Sequence, residues 1–77
     1  MQEETTQNKL FNFIISNSNI DDIQSRFISY KLELYSVKKI ESIIQSDDYE
    51  YTFRTSEGIF SIKTVNLPIP ITTVVKV

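Results

Sequence analysis

Tyr49-Glu50-Tyr51-Thr52-Phe53-Arg54-Thr55-Ser56-Glu57-Gly58-Ile59-Phe60-Ser61-Ile62-Lys63-Thr64-Val65 is the stretch that decides the fold. Two runs rich in aromatic and β-branched residues flank the polar tetrad Thr55-Ser56-Glu57-Gly58, whose glycine sits at the last position of a tight turn. The pattern predicts an antiparallel hairpin. With a four-residue loop, Phe53 stands opposite Phe60, Tyr51 opposite Ile62 and Tyr49 opposite Thr64, which makes one face almost wholly apolar. The other face pairs Thr52 with Ser61 and Glu50 with Lys63, an opposite-charge cross-strand pair. A three-residue loop would set Tyr51 against Lys63 and Phe53 against Ser61. It would mix the faces, because one step of register moves every side chain to the other side.

Beyond Val65 the chain turns through Asn66-Leu67-Pro68-Ile69-Pro70, where two prolines in three residues exclude a central strand and make a stiff connector. Ile71-Thr72-Thr73-Val74-Val75-Lys76-Val77 is β-favouring throughout and predicts a strand over 71–76. At a sheet edge its unpaired backbone could accept a strand from another chain. The bland alternative is that it closes a small barrel or sheet within the monomer.

On the other side of the hairpin, residues 5–17 read as a helix. Thr5 or Thr6 caps it, Glu3 and Glu4 lie near the positive end of its dipole, and Leu10, Phe11, Ile14 and Ile15 form its apolar stripe, with Phe13 off the stripe. Ser16-Asn17-Ser18-Asn19 supplies both a stop and the next cap, and a second helix opens at Ile20 with Asp21 and Asp22 in its first turn. From there two periods compete. Ile20, Ile23, Phe27, Tyr30, Leu34 and Val37 keep a 3-4-3-4-3 spacing that would carry one helix toward Ile44. Ile28, Tyr30, Leu32 and Leu34, however, alternate with Ser29, Lys31 and Glu33 in a segment rich in β-favouring residues. The alternation is preferred, so the second helix is set at about 20–29. Residues 30–45 are read as one long bent strand or two short ones, since no glycine or proline marks a turn between them.

These elements define a single α+β domain over 1–77: one or two N-terminal helices packed on a small antiparallel sheet of three to five strands, open or closed as a small barrel. The strands are expected at about 30–45, 49–55, 59–65 and 71–76. Element order and length resemble those of Sm-like RNA-binding ring proteins, which have an N-terminal helix followed by five strands. The glycines and the basic or histidine-bearing contact motifs of that family are not found here, so the likeness is one of architecture.

A chain of 77 residues has a small core, and small scaffolds usually add disulfides, a metal or a partner chain. Cysteine and histidine are both absent, which removes disulfides and the usual zinc, copper and iron ligand sets and makes self-association an expectation. The net charge of -2 is too weak for a generic nucleic-acid binder or an acidic DNA mimic. Met1-Gln2-Glu3-Glu4 is acidic where a signal peptide is basic, and no apolar run approaches the roughly 20 residues of a membrane span, so the reading is cytoplasmic. Alanine is missing while Ile, Asn, Lys, Tyr and Phe are abundant, a bias typical of an AT-rich bacterium, a phage or an archaeal virus.

Catalytic equipment is sparse. Asp21-Asp22 and Asp47-Asp48 are the only paired acids, and helix capping and a turn account for them without a cation. The serines and threonines have no histidine to activate them, and the single glycine rules out a glycine-rich phosphate loop. No enzyme activity, cofactor or metal is therefore expected. Tyr49, Tyr51, Phe53, Arg54 and Lys63 are raw material for stacking on single-stranded nucleic acid, but the register turns the rings toward a core. Lys38-Lys39 reads as a solvated doublet. The expected function is a non-catalytic interaction protein, an inhibitor, adaptor or homo-oligomeric accessory protein, whose partner is another protein or a second copy. The alternative is a small β-rich nucleic-acid-binding protein. A groove-reading helix from Ile20 is disfavoured because Asp21-Asp22 would meet phosphates with the wrong charge. Candidate contact residues are Arg54 and Lys63, on the face shared with Glu50 and Thr52, and Ile71, Val74 and Val75 along the last strand.

Overall fold

The computed structural model describes residues 4–65 and 68–77, in which two helices cover one face of a four-stranded antiparallel sheet. In chain order the elements are α1 (Thr6–Asn17), α2 (Asp22–Leu34), β1 (Ile40–Asp47), β2 (Glu50–Thr55), β3 (Gly58–Val65) and β4 (Ile71–Lys76). Each strand pairs with the next, in the order β1-β2-β3-β4, and the sheet is open rather than closed into a barrel. The expected part of Glu3 at the first helix end, and the Asn66-Leu67 half of the proline-rich turn, lie outside the described residues.

The hairpin has the register its sequence implies. Phe53 faces Phe60, Tyr51 faces Ile62, Thr52 faces Ser61 and Glu50 faces Lys63, with Thr55 and Gly58 closing the ladder around Ser56-Glu57. Thr55 fixes the turn: its hydroxyl donates to the Gly58 carbonyl at 2.8 Å and accepts from the Glu57 amide at 3.1 Å. Gly58 has φ +111°, a backbone region that side-chain-bearing residues rarely adopt. Tyr51, Phe53, Phe60 and Ile62 are buried. Tyr49, placed on the same face, is exposed instead. It lies just before β2 begins, and its carbonyl accepts from the Thr64 amide at 2.8 Å.

Both helices start on side-chain caps. Thr5 accepts from the Asn8 amide at 3.1 Å and Asp21 from the Gln24 amide at 2.7 Å, each filling one of the orphan donors of a first turn. α1 turns Leu10 and Ile14 into the core, with Phe13 packed beside them. The expected stripe included Phe11 and Ile15 in place of Phe13; Phe11 is only half-buried and Ile15 exposed. α1 packs against β1 and α2 against β4, so the helical layer spans the sheet from edge to edge.

The largest correction concerns residues 30–45. They are not extended: α2 runs to Leu34, and β1 begins only at Ile40. The helix ends in a Schellman motif, with the Val37 amide on the Leu32 carbonyl at 3.0 Å and the Ser36 amide on the Glu33 carbonyl at 2.9 Å. Val37 and Leu32, the hydrophobic pair that accompanies such a motif, are both fully buried. The residue that takes the left-handed conformation is Ser36, at φ 66°, where glycine is usual. The serine is strained there. Ser36→Gly is therefore expected to stabilise the fold by about 1 kcal/mol, read as a raised urea midpoint at unchanged m-value. A lowered midpoint would show that Ser36 contributes more than it strains.

α2 meets the core through Gln24, Ser25, Ile28, Ser29 and Leu32. Three of these five are polar and modest in size. Ser25 donates to the Ile20 carbonyl at 3.2 Å and Ser29 to the Arg26 carbonyl at 2.8 Å, so both hydroxyls are satisfied by the chain's own backbone. The Gln24 side-chain nitrogen is buried without a partner. The core is completed by Ile20, Val37 and Ile40, which close it at the two ends of α2 and at the start of β1.

Candidate functional site

The face of α2 turned away from the core is more apolar than the face turned toward it. Ile23, Phe27, Tyr30 and Leu34 are 78, 42, 49 and 63% exposed. At about 3.6 residues per turn they lie roughly half a turn around the helix from Ile28 and Leu32. Their 4-3-4 spacing is the one that forms a continuous seam for another helix. A surface helix normally buries its apolar stripe and shows water its polar one. α2 has apolar residues on both sides, with the larger side chains outside.

Charged groups edge this stripe. Arg26 and Glu33 lie on one flank, Lys31 and the buried Gln24 on the other. The Arg26 guanidinium sits 3.8 Å from the centre of the Phe11 ring on α1 and donates to Asn8 Oδ1 at 3.1 Å, while Lys31 Nζ lies 5.8 Å from the Phe27 ring. A shallow recess of about 360 Å³ opens between the helices beside Ile23, lined by Phe11, Asp22, Ile23 and Arg26. Among the described residues the one ion pair is Lys63 to Glu50 at 3.6 Å, so Glu33 has no cationic partner there.

Four of the five residues singled out from the sequence share one face. Arg54, Lys63, Ile71 and Val75 lie on the outer face of the sheet, with Lys63 diagonal to both Ile71 and Val75 across the β3–β4 ladder, while Val74 points the other way and packs against the core. On the outer face one row across the strands reads Ile44, Thr52, Ser61, Val75. Its two apolar residues are thus separated by hydroxyls. Lys63 is engaged by Glu50 across the hairpin; both are about half exposed, where such a pair contributes little. β4 is an edge strand, as one of the two readings of it held. The opposite edge, β1, carries register irregularities between Ile40 and Ser42 and between Gln45 and Asp47, of the kind that discourages pairing with another chain.

No protein-family model, curated protein or solved structure matches this chain. Its chemistry is therefore read from its own side chains. The recess of about 440 Å³ at the α1–α2 loop is lined by Ser16, Asn17, Ser18, Asn19, Ile43, Gln45 and Tyr51, with no acid or base among them. Several of its polar groups are already committed. Asn17 donates to the Phe13 carbonyl at 2.9 Å, and Ser18 to the Ile14 carbonyl at 2.7 Å while accepting from the Ile20 amide. A third recess, of about 330 Å³, has Leu10, Phe13 and Ile40 as its floor and Lys9, Lys38 and Lys39 at its rim. Lys9 joins the Lys38-Lys39 doublet there through the packing of α1 on β1, a proximity that no sequence spacing carries. Among the described residues no three of Asp, Glu, His and Cys gather as a cation cage, and no helix is long and apolar enough to cross a membrane.

The α2 stripe is the feature that the list of candidate residues missed. Its signal was present in the sequence as the 3-4-3-4-3 spacing from Ile20 to Val37. Ile20 and Val37, the two ends of that series, are buried, and the four residues between them are not.

Proposed function

We propose that this chain is a non-catalytic interaction protein whose contact surface is the outer stripe of α2. The observation that carries the proposal is the pair of opposed apolar faces on one 13-residue helix, the inner one already occupied by the core. A contiguous apolar patch is what partner sites look like, whereas the exposed Ile44, Ile59, Ile71 and Val75 of the outer sheet face are interspersed with Thr52, Arg54, Ser61, Lys63 and Thr73. Keeping Phe27 and Ile23 in water has a cost that folding alone does not offset, whereas a partner's surface would remove it. The neutral lining of the recess at the α1–α2 loop and the dispersal of acids and bases favour binding over catalysis.

Nucleic-acid binding has less support. The rings that would stack on bases, Tyr51, Phe53 and Phe60, are core residues, and the cations are dispersed, with Arg54 and Lys63 on the outer sheet face, Lys76 on β4, Arg26 and Lys31 on α2, and Lys9, Lys38 and Lys39 around the α1–β1 recess. A photo-crosslinking side chain at position 27, compared with one at position 52 on the outer sheet face, separates the two readings in cells producing the chain. Crosslinks to protein at 27 and none at 52 are expected. Crosslinks to nucleic acid at 52 with none at 27 would replace the interaction reading by the nucleic-acid one.

A further inference from the structure

We infer that the partner of the α2 stripe is a second copy of this chain, with the two α2 helices packed antiparallel across a two-fold axis between Phe27 and Tyr30. The inference rests on the reading of α2 as a contact surface and adds what occupies it. In this arrangement Ile23 of one copy meets Leu34 of the other, and Phe27 meets Tyr30, so that all four apolar side chains of each helix are used. Their spacing suits the shallow crossing of helices packed knobs into holes.

Charge selects both the partner and the direction. Antiparallel helices bring like flanks together, which sets Arg26 of each copy beside Glu33 of the other, an acid that has no ion pair among the described residues. The second flank then leaves Lys31 without a like charge opposite, since Gln24 at the matching position is turned into the core of its own chain. Parallel packing would instead oppose Arg26 and Lys31, cation to cation, twice in the dimer. Arg26, Glu33 and Lys31 thus favour a reversed copy of the helix and repel an aligned one. Phe11 and the recess beside Ile23 extend the surface onto α1, where Leu34 of the second copy would enter.

Size agrees with a reversible association. Four residues of this kind at these exposures present on the order of 400 to 500 Å² per copy. The pair buries on the order of 1,000 Å², at the lower limit of a specific interface. An interface of this size is expected to dissociate on dilution, which a concentration series reads directly. Cysteine is absent, so no covalent link between copies can replace it.

The test is sedimentation velocity of the full chain from about 5 to 500 µM. The expected result is a concentration-dependent shift from the 9.0 kDa monomer to a species of twice that mass. Phe27→Glu should remain monomeric throughout while keeping its circular dichroism spectrum. Arg26→Glu should weaken the dimer by about five- to tenfold, and adding Glu33→Arg to it should restore the wild-type constant, since the pair is then merely inverted. A dimer strengthened by Arg26→Glu alone would mean parallel helices and overturn the inference. So would a dimer untouched by Phe27→Glu but lost on Val75→Thr, which would place the contact on β4. A chain monomeric to the highest concentration, yet crosslinked through position 27 to a different protein, would end the self-association inference and leave the interaction reading standing.

Discussion

Phe53→Ala is expected to leave the chain largely unfolded at 25 °C. The ring is fully buried, faces Phe60 on β3 and pairs through its backbone with Ile43 on β1, so it sits where the sheet and the helical layer meet. Removing a buried phenylalanine ring costs about 3 to 5 kcal/mol. A chain of this length has roughly 4 to 12 kcal/mol in total, and a small core without cross-links belongs near the lower end. The measurement is urea unfolding followed by circular dichroism. The expected variant curve has no folded baseline or a midpoint close to zero denaturant, while Arg54→Ala, one residue along and on the outer face, changes stability by no more than about 0.5 kcal/mol. A Phe53→Ala protein that lost less than about 1.5 kcal/mol would show that the hairpin's inner face is not the centre of the core.

The second large effect separates two leucines that are only two residues apart. Leu32 is fully buried and makes the hydrophobic contact of the Schellman motif with Val37, so Leu32→Ala should cost about 2 to 5 kcal/mol. Leu34, on the outer stripe, should tolerate alanine to within about 0.5 kcal/mol in the monomer. A strand would place both side chains on the same face and make both substitutions costly. Equal losses at the two positions would therefore argue for the extended conformation and against α2 as described. Unfolding should be measured at low micromolar concentration, where association does not add to the apparent stability.

Those leucines also show where the sequence ran out. The hairpin was legible because turn chemistry, alternation and a charge pair all required one register, and a three-residue loop would have put Lys63 against Tyr51. The first helix cap was legible for the same reason, since Thr5 sits where an orphan amide needs an oxygen; the second helix was opened two residues early, at Ile20, whereas Asp21 is its cap and Asp22 its first residue. Residues 30–45 failed on two counts. The glycine expected at a helix end is Ser36, so the turn left no mark in the sequence, and Ile28, Tyr30, Leu32 and Leu34 satisfy a period of two as well as one of nearly four. The core face of α2 was also hidden, because it is built partly from Gln24, Ser25 and Ser29, while the bulkier apolar residues point outward. A pattern of hydrophobicity identifies apolar stripes. It does not say which of two stripes belongs to the chain's own core and which is left for something else. The 3-4-3-4-3 spacing was weighed only as the sign of one long helix against a strand, so the outer stripe of α2 was not among the candidate contact residues.

The unbroken order of the sheet bears on how the chain finds this arrangement. Every strand lies beside its successor, and β1, β2 and β3 are joined by the shortest of connections. No ladder requires a strand to search past a nearer neighbour, so the closure entropy of pairing stays small at each step. The two helices likewise form a hairpin of their own over a four-residue link. The long loop is closed once, when α2 meets β4 across the whole intervening sheet sequence. The topology thus divides the molecule into two locally assembled halves and concentrates its non-local contacts in the seam between them.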